Sequence, residues 1–135
     1  MADALLIYDA DCGFCRWSTA RVLAWDRRRR LRPVALQDPE AAEHLGTMSR
    51  AAAFASWHLV TDDGRVRSAG AAAPALLGLL PGGRLLAALL ARRPRDTERA
   101  YRWVAERRCQ WGRAVTRGAA RRARRRIDRR SASAG

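Results

Sequence analysis

Two cysteines three residues apart, directly after a short apolar run, constrain this chain more than any other feature: Asp9-Ala10-Asp11-Cys12-Gly13-Phe14-Cys15 follows Leu5-Leu6-Ile7-Tyr8. A continuous run of apolar, strand-forming residues predicts a strand buried on both faces of a sheet, and so a central one. The segment from Asp9 to Gly13 predicts a turn. From Phe14 the apolar residues Phe14, Trp17, Ala20, Val22, Leu23 and Trp25 fall mostly at helical spacing, which predicts a helix ending near Arg27. The cysteines therefore stand where a strand ends and a helix begins. Positions i and i+3 share a helix face, close enough for a disulfide to open and close without large backbone movement. At a helix N-terminus the first sulfur also meets unpaired backbone N–H groups and the positive dipole end, both favouring thiolate over thiol. Cys12 is the expected nucleophile and Cys15, a turn further in and more buried, the expected resolving thiol.

The neighbours modulate that pair. Gly13 lets a partner backbone approach the sulfurs, and Phe14 adds an apolar flank. Arg16 supplies a cation that favours the Cys12 thiolate, whereas Asp11 opposes it unless its carboxylate turns away to cap the helix. Asp9, at the strand end, has two readings. It is either a partly desolvated carboxylate that accepts or returns the proton of Cys15, or a turn-forming residue bonded to nearby backbone N–H groups. Half a zinc site also looks like a CxxC. Completing one would need Cys109 with His44 or His58, which stand singly and without ligand-pair spacing, so no metal is expected. Cys109 reads as a small buried apolar residue or an accessory thiol, His58 as a strand-face residue and His44 as an exposed helix end.

Along the rest of the chain, Leu31 to Leu36 predicts a second strand, with Pro33 marking it as an edge or a strand end. Pro39 to His44 predicts a short helix stopped by Gly46. Ser56 to Thr61 and Val66 to Ser68 flank the hairpin signal Asp62-Asp63-Gly64 and predict an antiparallel pair. Ala71 to Leu80 and Arg84 to Ala91 read as helices, and Asp96-Thr97-Glu98 opens a further one carrying Tyr101, Val104, Ala105 and Cys109. After Val115 the only sizeable apolar residue is Ile127, so a frayed helix or disorder is expected there. The order βαβα then ββα is a mixed-sheet α/β layout.

A chain of 135 residues allows one compact domain. Its charge is lopsided: residues 1–90 hold 11 Arg against 9 Asp and Glu, residues 91–135 hold 16 against 4. All 27 Lys and Arg positions are arginine, which points to a codon-composition bias before a binding site, so the charge does not by itself make a nucleic-acid protein. Three cysteines, an odd count, do not form a secreted disulfide framework and suit a reducing compartment, the cytoplasm. Ala4 to Tyr8 is too short for a signal-peptide core and follows Asp3 rather than a basic segment. The apolar stretch Ala71 to Ala91 is cut by Pro81-Gly82-Gly83 into halves too short to span a bilayer.

The run Tyr8 to Cys15 closely resembles the signature of the DCC family of thiol-disulfide oxidoreductases, also called DUF393, whose Asp-x-x-Cys-x-x-Cys pattern falls here on Asp9, Cys12 and Cys15. The resemblance continues more loosely to residue 113, through the Asp62-Asp63-Gly64 hairpin, Leu85 to Leu90 and Tyr101 to Trp111. It implies a thioredoxin-like α/β fold: a central mixed sheet of about four strands flanked by helices, with extra C-terminal helices. It also implies no bound cofactor and redox exchange with a protein disulfide or small-thiol partner. Residues 1–113 would form the redox domain and residues 114–135 an Arg-rich tail. Ala10 stands where the family usually has Gly, Cys109 where an aromatic is common, and the extension after Arg113 has no clear counterpart. Many thioredoxin-fold proteins carry a cis-proline before the third strand, facing the cysteines; Phe54-Ala55-Ser56 supplies none. The competing function is a catalytically inactive thioredoxin-like binding module, with the Arg117 to Arg130 arginines touching nucleic acid or acidic surfaces. For that tail a merely solvated role is the preferred expectation.

Overall fold

The computed structural model describes residues 3–133. Strand β1 (Ala4–Tyr8) lies inside a four-stranded sheet of order β2-β1-β3-β4, with β2 (Leu31–Ala35), β3 (His58–Thr61) and β4 (Val66–Ser68). β2 runs parallel to β1, β3 antiparallel to β1 and β4 antiparallel to β3. The central place of β1 follows from its apolar run. β2, which carries Pro33, takes an edge, where a residue lacking an N–H breaks no ladder on its outer side.

Side-chain alternation divides the core. Ala4, Tyr8, Leu31 and Leu59 face helices α1 (Gly13–Trp25), α4 (Ala69–Leu79) and α7 (Arg117–Ala132). Ile7, Val34 and Val60 face the opposite way, onto α2 (Pro39–Leu45) and α3 (Arg50–Ala55). Helices α5 (Arg84–Arg92) and α6 (Pro94–Ala114) complete the order, α6 packing on α4 and α1. At the α4–α6 crossing Gly70 is required, because a Cβ there would stand 2.8 Å from Glu98 Cα.

Two local expectations change. Helix α3 was not foreseen: it is six residues long, too short for a periodic apolar signal, and starts where Ser49 Oγ accepts from Ala52 N–H at 3.2 Å. The segment expected to be a frayed or disordered tail is instead the ordered helix α7. Thr116 caps it, accepting from Ala119 N–H at 3.1 Å. Ala123 and Ile127, one turn apart, are buried in the main core. Arg130, the next residue on that face, donates 2.6 Å to the Asp26 carboxylate, which is fully buried at the end of α1. Its two Nη atoms also reach the carbonyls of Leu23, Asp26 and Leu31 at 2.9 to 3.2 Å. Asp26 accepts two further bonds, from the N–H groups of Arg30 and Leu31, so both ends of this buried pair are matched by hydrogen bonds. Apolar density predicted disorder; two inward apolar residues and one charge seated on a buried carboxylate outweighed it.

Candidate active site

The turn before the cysteines is held from β2. The β1–β2 register pairs Tyr8 with Ala35, and carried two residues further it brings Gln37 level with Ala10. Gln37 Oε1 accepts from Ala10 N–H at 3.2 Å, and its Nε2 donates to Asp9 Oδ1 at 2.8 Å and Asp11 Oδ2 at 3.1 Å. Asp9 Oδ1 also accepts from Asp11 N–H at 3.0 Å, the local bond of an Asx turn. The turn-forming reading of Asp9 is thus occupied by one of its oxygens. Asp11 does not cap the helix; its carboxylate turns to Gln37.

The cap is Cys12 itself. Its backbone is extended and its sulfur accepts from Cys15 N–H at 3.3 Å, while α1 begins at Gly13. The first sulfur therefore lies at the positive end of α1. Cys15 faces it from one turn in, half-buried, and both are free thiols. Burial first, then the hydrogen bond and charge of the Cys12 sulfur, push the Cys15 thiol from its ordinary 9.0 up to about 12. Asp9 adds to that rise and Arg108 opposes it. Arg16, expected to serve the Cys12 thiolate, donates from Nη1 to Ala10 carbonyl oxygen at 2.8 Å and so braces the same turn.

Two hollows share Phe14, the residue before Cys15, in their walls. A cavity of about 250 Å³ opens against Cys15, walled by Asp9, Phe14, Trp57, Tyr101 and Arg108 among others. Ser56 and Trp57, just ahead of β3, face it, so the segment before the third strand fronts the cysteine without a proline. An apolar groove of about 610 Å³ runs past Phe14, Trp17, Trp111 and Val115 on the outer side. Phe14 and Trp111 meet with tilted rings at 5.3 Å between centroids, and Trp103 meets Trp111 edge-on at 5.5 Å. Gly13 does meet a backbone, that of the chain's own α6: a Cβ there would be 3.7 Å from Gly112 carbonyl oxygen.

The residues assigned to a metal by the zinc alternative are spread apart. His58 is buried and bonded to Ser68 Oγ and Ala53 carbonyl oxygen, and His44 lies 3.9 Å from Glu40. Cys109, read as buried, is exposed on α6. Among the described residues no group of three or more His, Cys, Asp or Glu side chains is placed to hold a metal ion. Gln37, Tyr101 and Arg108 were missed as site residues. The parallel register could have pointed to Gln37; for the α6 residues, which meet α1 only through tertiary packing, the sequence carried no signal.

A mixed four-stranded sheet flanked by helices, with two thiols at the junction of its central strand and first helix, defines a protein of thioredoxin-like fold. The family model of DCC1-like thiol-disulfide oxidoreductases matches residues 6–114, and the chain belongs to that family. No curated protein and no solved structure matches it. Among the described residues no helix is long and apolar enough to cross a membrane.

Proposed function

We propose that this protein exchanges a Cys12–Cys15 dithiol with the disulfide of a protein or small-thiol substrate, with Cys12 as nucleophile. One observation carries the reading: the Cys12 sulfur caps α1 and accepts from Cys15 N–H, while Cys15 stays protonated beside it. In the reducing direction the Cys12 thiolate attacks one substrate sulfur, the substrate S–S bond breaks, and the departing sulfur leaves as a thiolate that takes a proton. Cys15 then loses its proton and attacks Cys12 Sγ, which expels the second substrate thiolate and leaves a Cys12–Cys15 disulfide. Two electrons pass to the substrate. The reverse sequence oxidises it.

Asp9 is the proton acceptor of this proposal. It borders the same cavity as Cys15, and it is one of the charges acting on that thiol. The groove beside Phe14, Trp17 and Trp111 favours an extended protein segment, whose apolar side chains it can cover while a disulfide reaches Cys12. The odd cysteine count fits the cytoplasm as its compartment.

The test is reduction of an insulin-type protein disulfide. Cys12→Ser is expected to abolish turnover. Cys15→Ser is expected to trap a mixed disulfide, seen as a mass increase equal to one substrate chain. Turnover by Cys12→Ser equal to the parent protein would reject Cys12 as the nucleophile, and no turnover by the parent protein would leave a binding module.

A further inference from the structure

The far end of α1 carries a feature that thiol exchange does not use. α7 turns Ala123, Ile127 and Arg130 inward, so its Arg122, Arg125, Arg126 and Arg129 point outward. With Arg27 and Arg29, just past α1, they line a cleft of about 500 Å³. All six are exposed, and none makes an ion pair among the described residues. Asp26, the one carboxylate in the wall, is fully buried and already bonded to Arg130. The positive charge is therefore uncompensated and focused by a concave surface.

The cleft does not end at the arginines. Ala24 and Arg27 also border a second hollow of about 460 Å³, whose other walls are Arg21, Trp25 and Pro81. Trp25 is 41 % exposed, and its Nε1–H donates to Pro81 carbonyl oxygen at 2.9 Å, which pins the ring edge. A guanidinium-lined channel that meets a fixed, accessible indole matches the chemistry of a phosphodiester strand with unpaired bases. Arginines take the phosphates, and a base stacks on the aromatic ring.

We propose that this cleft binds single-stranded nucleic acid, its phosphates along the outer face of α7 and one base on Trp25. A duplex fits less well, because its bases are already stacked on one another. An anionic membrane fits less well too: the exposed positions of α7 between Arg121 and Arg129 are all charged and offer nothing to insert. The 13 residues of α1 separate this cleft from Cys12 by about 20 Å, so the inference stands apart from the redox reading.

Fluorescence anisotropy of a labelled oligothymidine with the full chain tests it. At about 150 mM salt the oligomer is expected to bind, with an equally long duplex weaker. Arg122→Gln/Arg126→Gln/Arg129→Gln should lower affinity at least about tenfold and make the log K against log salt slope shallower by about 2. The control Arg92→Gln/Arg95→Gln/Arg99→Gln removes the same charge outside the cleft and should leave affinity within about twofold. Trp25→Ala should weaken the oligomer, leave inorganic polyphosphate binding unchanged, and be rescued by Trp25→Phe. Equal losses from the two arginine triples would overturn the proposal in favour of diffuse charge. So would Trp25→Ala without effect on the oligomer, or phosphatidylserine vesicles that displace the oligomer from the cleft.

Discussion

Gln37 is an exposed residue outside the Asp-x-x-Cys-x-x-Cys pattern, yet its amide joins Ala10, Asp9 and Asp11 through three hydrogen bonds. It holds two carboxylates side by side in the turn that precedes Cys12 and ties that turn to the end of β2. Gln37→Ala is expected to destabilise the fold by about 1 kcal/mol and to accelerate amide hydrogen exchange at Ala10. Gln37→Glu should cost more, because a third carboxylate then faces the other two; urea denaturation of both variants checks the order. The raised Cys15 thiol gives a second expectation at this scale. In a Cys109→Ser background, iodoacetamide near neutral pH should add one group, on Cys12. The second adduct is expected more slowly, because burial still holds the Cys15 thiol above its ordinary 9.0, and promptly once the chain is unfolded, which peptide mass mapping reads directly.

His58 ties elements together. Ala53 carbonyl oxygen can only accept, so the 2.8 Å contact assigns the proton to Nε2, and Nδ1 accepts from Ser68 Oγ–H at 2.6 Å. One neutral imidazole thus joins β3 to both α3 and β4. Burial pushes this histidine below its ordinary 6.5, and the Ala53 bond only partly offsets that. Below 6.5 the unfolded chain binds a proton that the folded chain refuses, so the contribution is complete above 6.5 and is lost as the pH falls. Urea midpoints should therefore drop between neutral and mildly acidic pH, and the drop should shrink in His58→Gln. At this scale the turn signals were well legible. Asp62-Asp63-Gly64 sits between β3 and β4 as expected, with Gly64 at φ 79° and Asp63 accepting from Arg65 N–H. Helix α3 was not legible, since a six-residue helix is stabilised by what it packs on more than by its own periodicity.

Across the whole molecule, α7 closes the main core over α1 and β2. Removing the Arg130 guanidinium leaves the fully buried Asp26 without its ion partner, and Arg130→Ala is expected to cost about 3–5 kcal/mol, measurable by urea denaturation. Asp26→Asn should recover part of that loss in the double variant, because it removes the stranded charge. A chain ended after Val115 would uncover Ala20, Leu23 and Leu31 together, all buried against α7 in the intact protein. Loss of cooperative unfolding is the expected result.

Strand β1, the turn and the start of α1, with the two sulfurs at their junction, all come from residues within one short stretch, so local periodicity and turn chemistry were sufficient to foresee their placement. The last helix, the Gln37 brace and the α6 side of the cavity depend on groups more than twenty residues apart. A few buried atoms, such as Ile127 and the Arg130–Asp26 pair, settle whether such a segment docks, and their burial has no signature in the residues beside them.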